Sequence, residues 1–167
     1  MNIFEDLTII FLIFKIEDIL KEQLEKLKKF KIIIVDNNNN NFFKNYVNKN
    51  YRNVLNYYLS KKNVGFAKGN NIGANLCRTK YVLFLNPDLF IDENSIFKLL
   101  NTFKIFDNIG VVGPMLCNEK LLPDGNSSLF NEKIKFKRNS FEKIIYGKVQ
   151  KSFNQSYLCC DQIWGAC

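Results

Sequence analysis

A short apolar run that ends in a proline turn near the middle of the chain restricts the fold most. The run from Tyr81 to Leu85 reads Tyr-Val-Leu-Phe-Leu and continues into Asn86, Pro87 and Asp88. A run without alternation is typical of a strand buried on both faces of a parallel sheet. Pro87 cannot donate to a sheet ladder, so the strand is predicted to end there. Asp88 then lies at the carboxyl end of a central strand, where open α/β sheets bind their ligands.

Asp88 has two interpretations at that position. An aspartate after a strand is often a turn or N-cap residue that accepts hydrogen bonds from nearby backbone. A carboxylate at a ligand-binding edge can instead coordinate a hard cation that helps to hold a diphosphate. The residue types alone leave both open.

Two earlier runs extend the pattern toward a parallel α/β sheet. Leu7 to Phe14 is rich in β-branched and apolar residues and is predicted to be the first strand. A second strand is predicted at Lys31 to Val35, ending in Asp36. Between them the apolar residues fall on one helical face: Ile16, Ile19, Leu20, Leu24, Leu27 and Phe30. Strand, helix and strand in this order predict a right-handed parallel unit.

The rest of the chain is predicted to continue this alternation. After the asparagine run at Asn37 to Asn41, a short helix is predicted, followed by a short strand at Val54 to Leu59. Asp92 is predicted to cap a helix from Glu93 to Phe106. Ile109 to Leu116 is predicted to be a strand, Leu122 to Gly125 a turn, and Tyr157 to Cys160 a last strand. The fold class is therefore α/β, with a mostly parallel central sheet flanked by helices.

A glycine- and asparagine-rich segment, Asn63 to Asn75, precedes the Asn-Pro-Asp turn and is predicted to open a short helix. Gly65 and Gly69 permit positive φ and close backbone approach. Free N–H groups at a helix N-terminus suit a phosphate, and Lys68 adds a positive charge. The segment lacks the P-loop spacing, so by itself it does not define a phosphate site.

Composition bounds the chemistry. The 167 residues suit a single domain, and 47% of them are hydrophobic, which indicates a globular chain. The absence of histidine excludes Ser-His-Asp and Cys-His mechanisms and histidine metal sites. The five cysteines include no C-x-x-C pair, and their odd number does not suit a disulfide framework, which favours a reducing compartment. The longest early apolar run is far shorter than the roughly 20 residues of a membrane span.

Several ordered motifs resemble one family. NVGFAKGNNIGAN, then YVLFLNPD, then VVGPML with a later PDG are similar to the family 2 glycosyltransferases of the rhamnosyltransferase type, from about Leu7 to the last residue. The resemblance implies a GT-A-like nucleotide-binding fold, a UDP- or dTDP-sugar donor, and inverting transfer to a glycan or lipid-linked acceptor. It also implies that Asn-Pro-Asp replaces the family's usual Asp-x-Asp metal motif.

The resemblance assigns roles to particular residues. Asp88 would bind Mg²⁺ or Mn²⁺, with Asn86 as a weaker ligand. Asp36 would accept the N3–H of a uracil or thymine base, which suits an acceptor-only group, although it is also a candidate turn partner of the asparagines after it. Phe14-Lys15 stands where the family usually has Tyr-Asn. The other residues implied to bind the nucleotide-sugar are Asn63, Gly65, Lys68, Gly69 and Asn71, with Asp124 and Gly125 beside the donor sugar.

The resemblance also bears on the carboxyl end of the chain. In the family a Trp-Gly-Ala segment leads into the acceptor half and its catalytic base, so residues 1–167 are expected to be a single donor-binding domain whose base lies beyond Cys167. A second chain could supply the acceptor half. The alternative function is a nucleotide-sugar-binding module, or pseudoenzyme, without activity of its own. An exposed apolar patch is predicted where the acceptor half would dock.

The net charge of +8 has several explanations. The lysines are scattered through every predicted helix, which argues against a nucleic-acid binder. The basic stretch from Asn131 to Lys151 is either a solvated surface or a patch that meets anionic lipid. The expected location is cytoplasmic, with peripheral contact at the inner face of the membrane.

Overall fold

The computed structural model describes residues 2–106 and 109–114, together with the backbone of short strand segments between 116 and 163. The chain divides into two compact units, Met1–Val112 and Gly113–Gly165. The first contains a short helix α1 (Ile3–Asp6), strands β1 (Leu7–Ile13), β2 (Lys31–Asp36), β3 (Val54–Leu59) and β4 (Tyr81–Phe84), and helices α2 (Glu17–Lys26), α3 (Asn41–Asn50), α4 (Phe66–Leu76) and α5 (Glu93–Ile105).

The four strands of the first unit form one parallel sheet in the order β3-β2-β1-β4. The connections between the strands pass through the helices, because a parallel pair needs a crossover. β1 is central and buried along nearly its whole length. The predicted α/β class with a parallel sheet flanked by helices is therefore confirmed.

The main core lies on one face of this sheet, where β1 contributes Leu7, Ile9, Phe11 and Ile13. Helices α2, α3 and α5 cover that face with apolar side chains: Leu20, Leu24, Phe43, Val47, Ile96 and Leu100. Alternate residues of β1 point to the opposite face, as the twofold period of a strand requires.

Helix α4 packs against that opposite face through two glycines. A Cβ at Gly73 would lie 2.5 Å from Cγ2 of Ile10, and a Cβ at Gly69 would overlap the Leu12 side chain. A larger residue at either position requires the Leu12 or Ile10 side chain, or the helix itself, to shift. The glycines therefore set how closely α4 approaches the central strand.

Three local predictions were wrong. The strand ending at the proline turn was expected to be central and buried on both faces, but β4 is the edge strand of the described sheet, with Tyr81, Val82 and Leu83 half-buried and Phe84 37% exposed. Residues 109–114 form no strand, because glycine and proline interrupt the ladder there. Pro123–Asp124 lies in a two-residue strand and not in a turn.

The apolar face of α2 also differs from its prediction. Ile19 is 40% exposed, whereas Gln23 is buried in its place beside Leu20 and Leu24. By contrast, β3 has its predicted bounds. The Asp92 cap is confirmed as well, because its carboxylate accepts from Ser95 N at 2.6 Å.

The second unit contains three antiparallel two-stranded pairs in the described residues. β5 (Leu116–Cys117) pairs with β6 (Pro123–Asp124), β7 (Ser127–Ser128) with β10 (Gln162–Ile163), and β8 (Gln150–Ser152) with β9 (Gln155–Tyr157). The strand predicted at Tyr157 to Cys160 overlaps β9 at Tyr157, and its other residues lie outside the described part. Among the described residues, no helix has both the length and the apolar character needed to cross a membrane.

Candidate nucleotide-sugar site at the carboxyl edge of the sheet

The carboxyl ends of the four parallel strands meet along one edge of the sheet. Ile13 lies opposite Asp36, and Asp36 lies opposite Leu59. β4 joins the same edge, since Leu85 N donates to Ile10 O at 3.1 Å just after the strand ends. The loops after the strands therefore begin side by side. Asp36 is the last residue of β2, whereas Asn63, Gly65, Asn86 and Asp88 lie in the loops and Lys68, Gly69 and Asn71 lie in helix α4.

Asp36 is completely buried, and its carboxylate is used by its own chain. Oδ1 accepts from Asn38 N at 2.6 Å, while Oδ2 accepts from Asn40 N at 3.2 Å and from the Tyr57 hydroxyl at 2.8 Å. These contacts match the turn interpretation of Asp36, which the sequence left open. The base-binding role stays a prediction and needs the loop to move, because no solvent reaches the carboxylate in this arrangement.

Tyr57 is the buried partner of that carboxylate. Burial, together with the hydrogen bond to Asp36, holds the pKa of the Tyr57 phenol well above its ordinary value. The phenol therefore remains a hydrogen-bond donor to Asp36 at neutral pH.

Residues 36–40, which begin at the last residue of β2, are called the Asp36 loop, and Asn40 connects this loop to two helices. Its Oδ1 caps α3 by accepting from Phe43 N at 3.0 Å, and its Nδ2 donates to Glu17 Oε1 at 3.0 Å. The hydrogen bond from Asn40 is the main reason that the pKa of Glu17 lies below its ordinary value. No signal in the sequence indicated this contact. An acidic residue is favoured at the start of any helix by the helix dipole, so Glu17 did not stand out as a partner of the loop.

The Gly65 loop leaves its helix open at the N-terminus. Gly65 is the N-cap of α4 with φ +81°, and no side chain in the described part of the chain caps this helix. Asn63 Oδ1 accepts from Gly65 N at 2.9 Å, and Asn37 Oδ1 accepts from Val64 N at 3.4 Å. The first N–H groups of α4 have no side-chain acceptor among the described residues and can donate to an acceptor such as a phosphate oxygen.

Lys68 and Asn71 are exposed on α4, and their side chains have no partner within the described part of the chain. Gly69 is different, because it is buried against Leu12 and its N–H donates to Gly65 O. The structure thus supplies a packing reason for Gly69, while its predicted role beside the donor stays a prediction.

Asp88 lies in a tight turn directly after β4. Leu89 N donates to Asn86 O at 3.1 Å and closes the turn, with Pro87 buried at its second position. A proline is favoured there because its φ is already suitable. The Asp88 side chain is exposed, and residues 2–106 and 109–114 offer it no hydrogen-bond or ion-pair partner.

The turn that carries Asp88 could bind a metal ion that takes few ligands from the protein. No group of three or more acidic or cysteine side chains converges in the described residues, so an all-protein cage is not formed there. Mg²⁺ commonly binds through one or two carboxylates and completes its shell with phosphate oxygens and water. A single exposed carboxylate without internal partners suits that mode, with the half-buried Asn86 beside it.

Gln23 contacts the same turn from α2, although it was not among the predicted site residues. Its Nε2 donates to Leu89 O at 2.6 Å. A glutamine within an otherwise apolar helical face was the available signal, since such a position normally takes an apolar residue.

Phe14 and Lys15 directly follow β1 at this edge. Phe14 is 48% exposed, Lys15 has φ +57°, and the Lys15 ammonium lies 5.3 Å from the centre of the Phe14 ring. Positive φ is uncommon for lysine and reverses the chain sharply after the strand. Both residues are therefore exposed next to the end of β2, where the family usually has Tyr-Asn.

A cavity of about 220 Å³ lies at the other end of the strands and includes none of the predicted site residues. Thr8, Lys31 and Arg78 contribute to it, and the Lys31 ammonium already donates to Glu5. The side chains of Asp124 and of the basic stretch lie outside the described residues.

The fold and the edge define an α/β protein with a ligand site at the carboxyl ends of parallel strands. The chain belongs to glycosyl transferase family 2, whose model matches residues 11–159. No curated protein sequence matches it.

The chain is also similar to a solved structure, described as the crystal structure of S. aureus TarS 1-349 in complex with UDP-GlcNAc, with a TM-score of 0.53 and 17% identity. The match covers 77% of this chain and 42% of the TarS chain, so it supports the fold.

Proposed function

We propose that this chain binds a nucleoside-diphosphate sugar at the carboxyl edge of its sheet and serves in transfer of that sugar. The observation that carries the proposal is that the exposed Asp88 carboxylate, which has no partner among the described residues, shares an edge with the N-terminus of α4, which no described side chain caps. Membership of glycosyl transferase family 2 and the UDP-GlcNAc bound to TarS support this type of ligand. UDP- and dTDP-sugars are the proposed donors.

In this proposal Asp88 holds Mg²⁺ or Mn²⁺ together with the diphosphate, and Asn86 contributes more weakly. When bound, the cation would neutralise charge that develops on the leaving diphosphate. Lys68 would contribute a positive charge, and the α4 N-terminus would donate free N–H groups to phosphate oxygens. Asn63, Gly65 and Asn71 would line the same ligand.

The proposed reaction is one inverting displacement. The oxygen of an acceptor hydroxyl forms a bond to the anomeric carbon, and the bond from that carbon to the diphosphate oxygen breaks. A base must take the hydroxyl proton, and the described residues provide no group assigned to that role. A glycan or lipid-linked acceptor, a rhamnosyl donor, cytoplasmic location and contact with the inner face of a membrane belong to this proposal and rest on the motif resemblance.

Calorimetric titration of UDP- and dTDP-sugars, with and without Mn²⁺, tests the proposal. Asp88→Ala should lower the affinity measured with Mn²⁺ by roughly 10- to 100-fold, since an interaction with a charged group is worth about 1.5–3 kcal/mol. Asp18→Ala is the matched control, because Asp18 is an exposed acid on α2 paired with Lys21. Absence of binding by the wild-type chain would contradict the proposal.

An assay for release of free nucleoside diphosphate from the bound donor, with an acceptor extract present, separates the enzyme from the binding module. Donor binding followed by release of free UDP in the presence of an acceptor extract supports glycosyl transfer. Donor binding without release of UDP supports the alternative of a nucleotide-sugar-binding module.

A further inference from the structure

Helix α2 contacts each of the two carboxylate-bearing loops through one side chain. At its start, Glu17 Oε1 accepts from Asn40 Nδ2 of the Asp36 loop at 3.0 Å. Further along the helix, Gln23 Nε2 donates to Leu89 O in the Asp88 turn at 2.6 Å. One rigid element therefore touches both loops at the candidate site.

Gln23 is an unusual residue for its surroundings. It is 1% exposed and lies on the core face of α2 with Leu20 and Leu24. Its Oε1 is buried and has no hydrogen-bond partner within the described residues. A buried acceptor without a partner is destabilising, so leucine or methionine would suit this core position better. Core packing alone does not explain the glutamine.

The contact made by Gln23 acts on the position of the turn. The hydrogen bond from Leu89 N to Asn86 O closes the turn and sets its shape, but it does not fix where the turn lies relative to the rest of the unit. The bond from Gln23 attaches the carbonyl of Leu89, the neighbour of Asp88, to a helix packed in the core. Sites that bind charged ligands depend on placement to within about 0.5 Å.

We propose that Gln23 is a positioning residue that holds the Asn86–Leu89 turn so that the Asp88 carboxylate meets a divalent cation bound with the donor diphosphate. This inference rests on the proposed function for the cation and the diphosphate. Gln23 itself touches neither of them. Its contribution is to restrict the turn before the ligand arrives, which reduces the ordering needed on binding.

The test compares Gln23→Met with Leu24→Met in the full chain. Both changes place methionine in the core of α2, but only the first removes the donor to Leu89 O. UDP is titrated with and without Mn²⁺, and hydrogen exchange is followed at the amides of residues 88–92.

For Gln23→Met we expect the affinity for UDP to be about 5-fold weaker with Mn²⁺, because roughly one net hydrogen bond is lost, and unchanged without Mn²⁺. Exchange at residues 88–92 should be faster than in Leu24→Met.

The outcomes separate the inference from the function on which it rests. Wild-type levels of Mn²⁺-dependent binding and of exchange in Gln23→Met would overturn the inference alone. An equal loss of affinity with and without Mn²⁺ would also overturn it, because it would indicate general damage. Absence of Mn²⁺-dependent binding in the wild-type chain would overturn the proposed function. If Gln23→Met does not fold, Gln23→Leu provides the same comparison.

Discussion

The Asp36 loop and the Asp88 turn begin at the same edge of the sheet but use their carboxylates in opposite ways. Asp36 is buried and accepts three hydrogen bonds from its own chain, whereas Asp88 is exposed and has no partner in the described residues. The first carboxylate therefore stabilises a loop, and the second is free to bind a ligand. The position of an aspartate at the end of a strand therefore does not make it a ligand-binding residue. A carboxylate that already accepts hydrogen bonds from its own chain has fewer positions left for a ligand.

Replacing Asp36 should produce the largest effect on stability. Asp36→Ala leaves the buried Tyr57 hydroxyl without its acceptor, at a cost of about 1–3 kcal/mol, and also removes the acceptor of two half-buried backbone N–H groups, Asn38 N and Asn40 N. We expect the free energy of unfolding to fall by about 3 kcal/mol or more. Asp88→Ala, the matched control, should change it by less than about 0.5 kcal/mol. Urea unfolding of both variants checks this, and equal effects would remove the distinction between the two carboxylates.

Tyr57→Phe should lower the free energy of unfolding by less, about 2 kcal/mol. The change removes one hydrogen bond to the Asp36 carboxylate and leaves the other two. The raised pKa of Tyr57 also predicts a pH effect. Its stabilisation is fully present below the unfolded pKa of about 10 and is lost as the pH rises through the higher folded pKa. The stability gap between wild type and Tyr57→Phe should therefore narrow above about pH 10. A gap that stays constant to pH 11 in urea titrations would contradict this.

Asp92→Ala separates capping from ligand binding within the segment after β4. Asp92 caps α5 through Ser95 N, so its loss should cost about 1 kcal/mol of stability. Binding of UDP with Mn²⁺ should remain at the wild-type level, because Asp92 is occupied by the helix. A loss of Mn²⁺-dependent binding as large as that of Asp88→Ala would show that two carboxylates serve the metal.

Glu17→Gln should lower the free energy of unfolding least, by about 0.5 kcal/mol at pH 7, because the hydrogen bond between Glu17 and Asn40 is partly exposed to solvent. The pKa of Glu17 is lowered by that bond, so the stabilisation is present above the unfolded pKa and is lost as the pH falls through the folded pKa. The difference from wild type should therefore close below about pH 4. Thermal unfolding from pH 3 to pH 7 measures it, and a difference that persists at pH 3 would assign the effect to packing.

The local sequence pattern was sufficient to predict most of the strands and helices of the first unit. Apolar runs and helical periodicity predicted β1, β2 and β3 to within a residue or so, and the Asp92 cap predicted the start of α5. These features depend on neighbours in the sequence, which the sequence displays directly. The α/β class followed from their order.

Long-range contacts could not be read in the same way. The degree of burial of β4 depends on its place in the strand order, and the partners of Asp36 include Tyr57, 21 residues away. The contact between Gln23 and Leu89 spans 66 residues. Such contacts depend on the packed arrangement of elements, so the sequence could nominate Asp36 and Asp88 alike but could not tell their states apart.

The two glycines that seat α4 on β1 have a consequence for engineering this chain. A Cβ at Gly69 or Gly73 would overlap side chains of β1, while Lys68 and Asn71 on the outer face of the helix are exposed. A library that randomises Lys68 and Asn71 and keeps both glycines would vary the predicted ligand contacts on an unchanged scaffold. Altered donor preference could then be sought in this helix without compensating changes in the central strand.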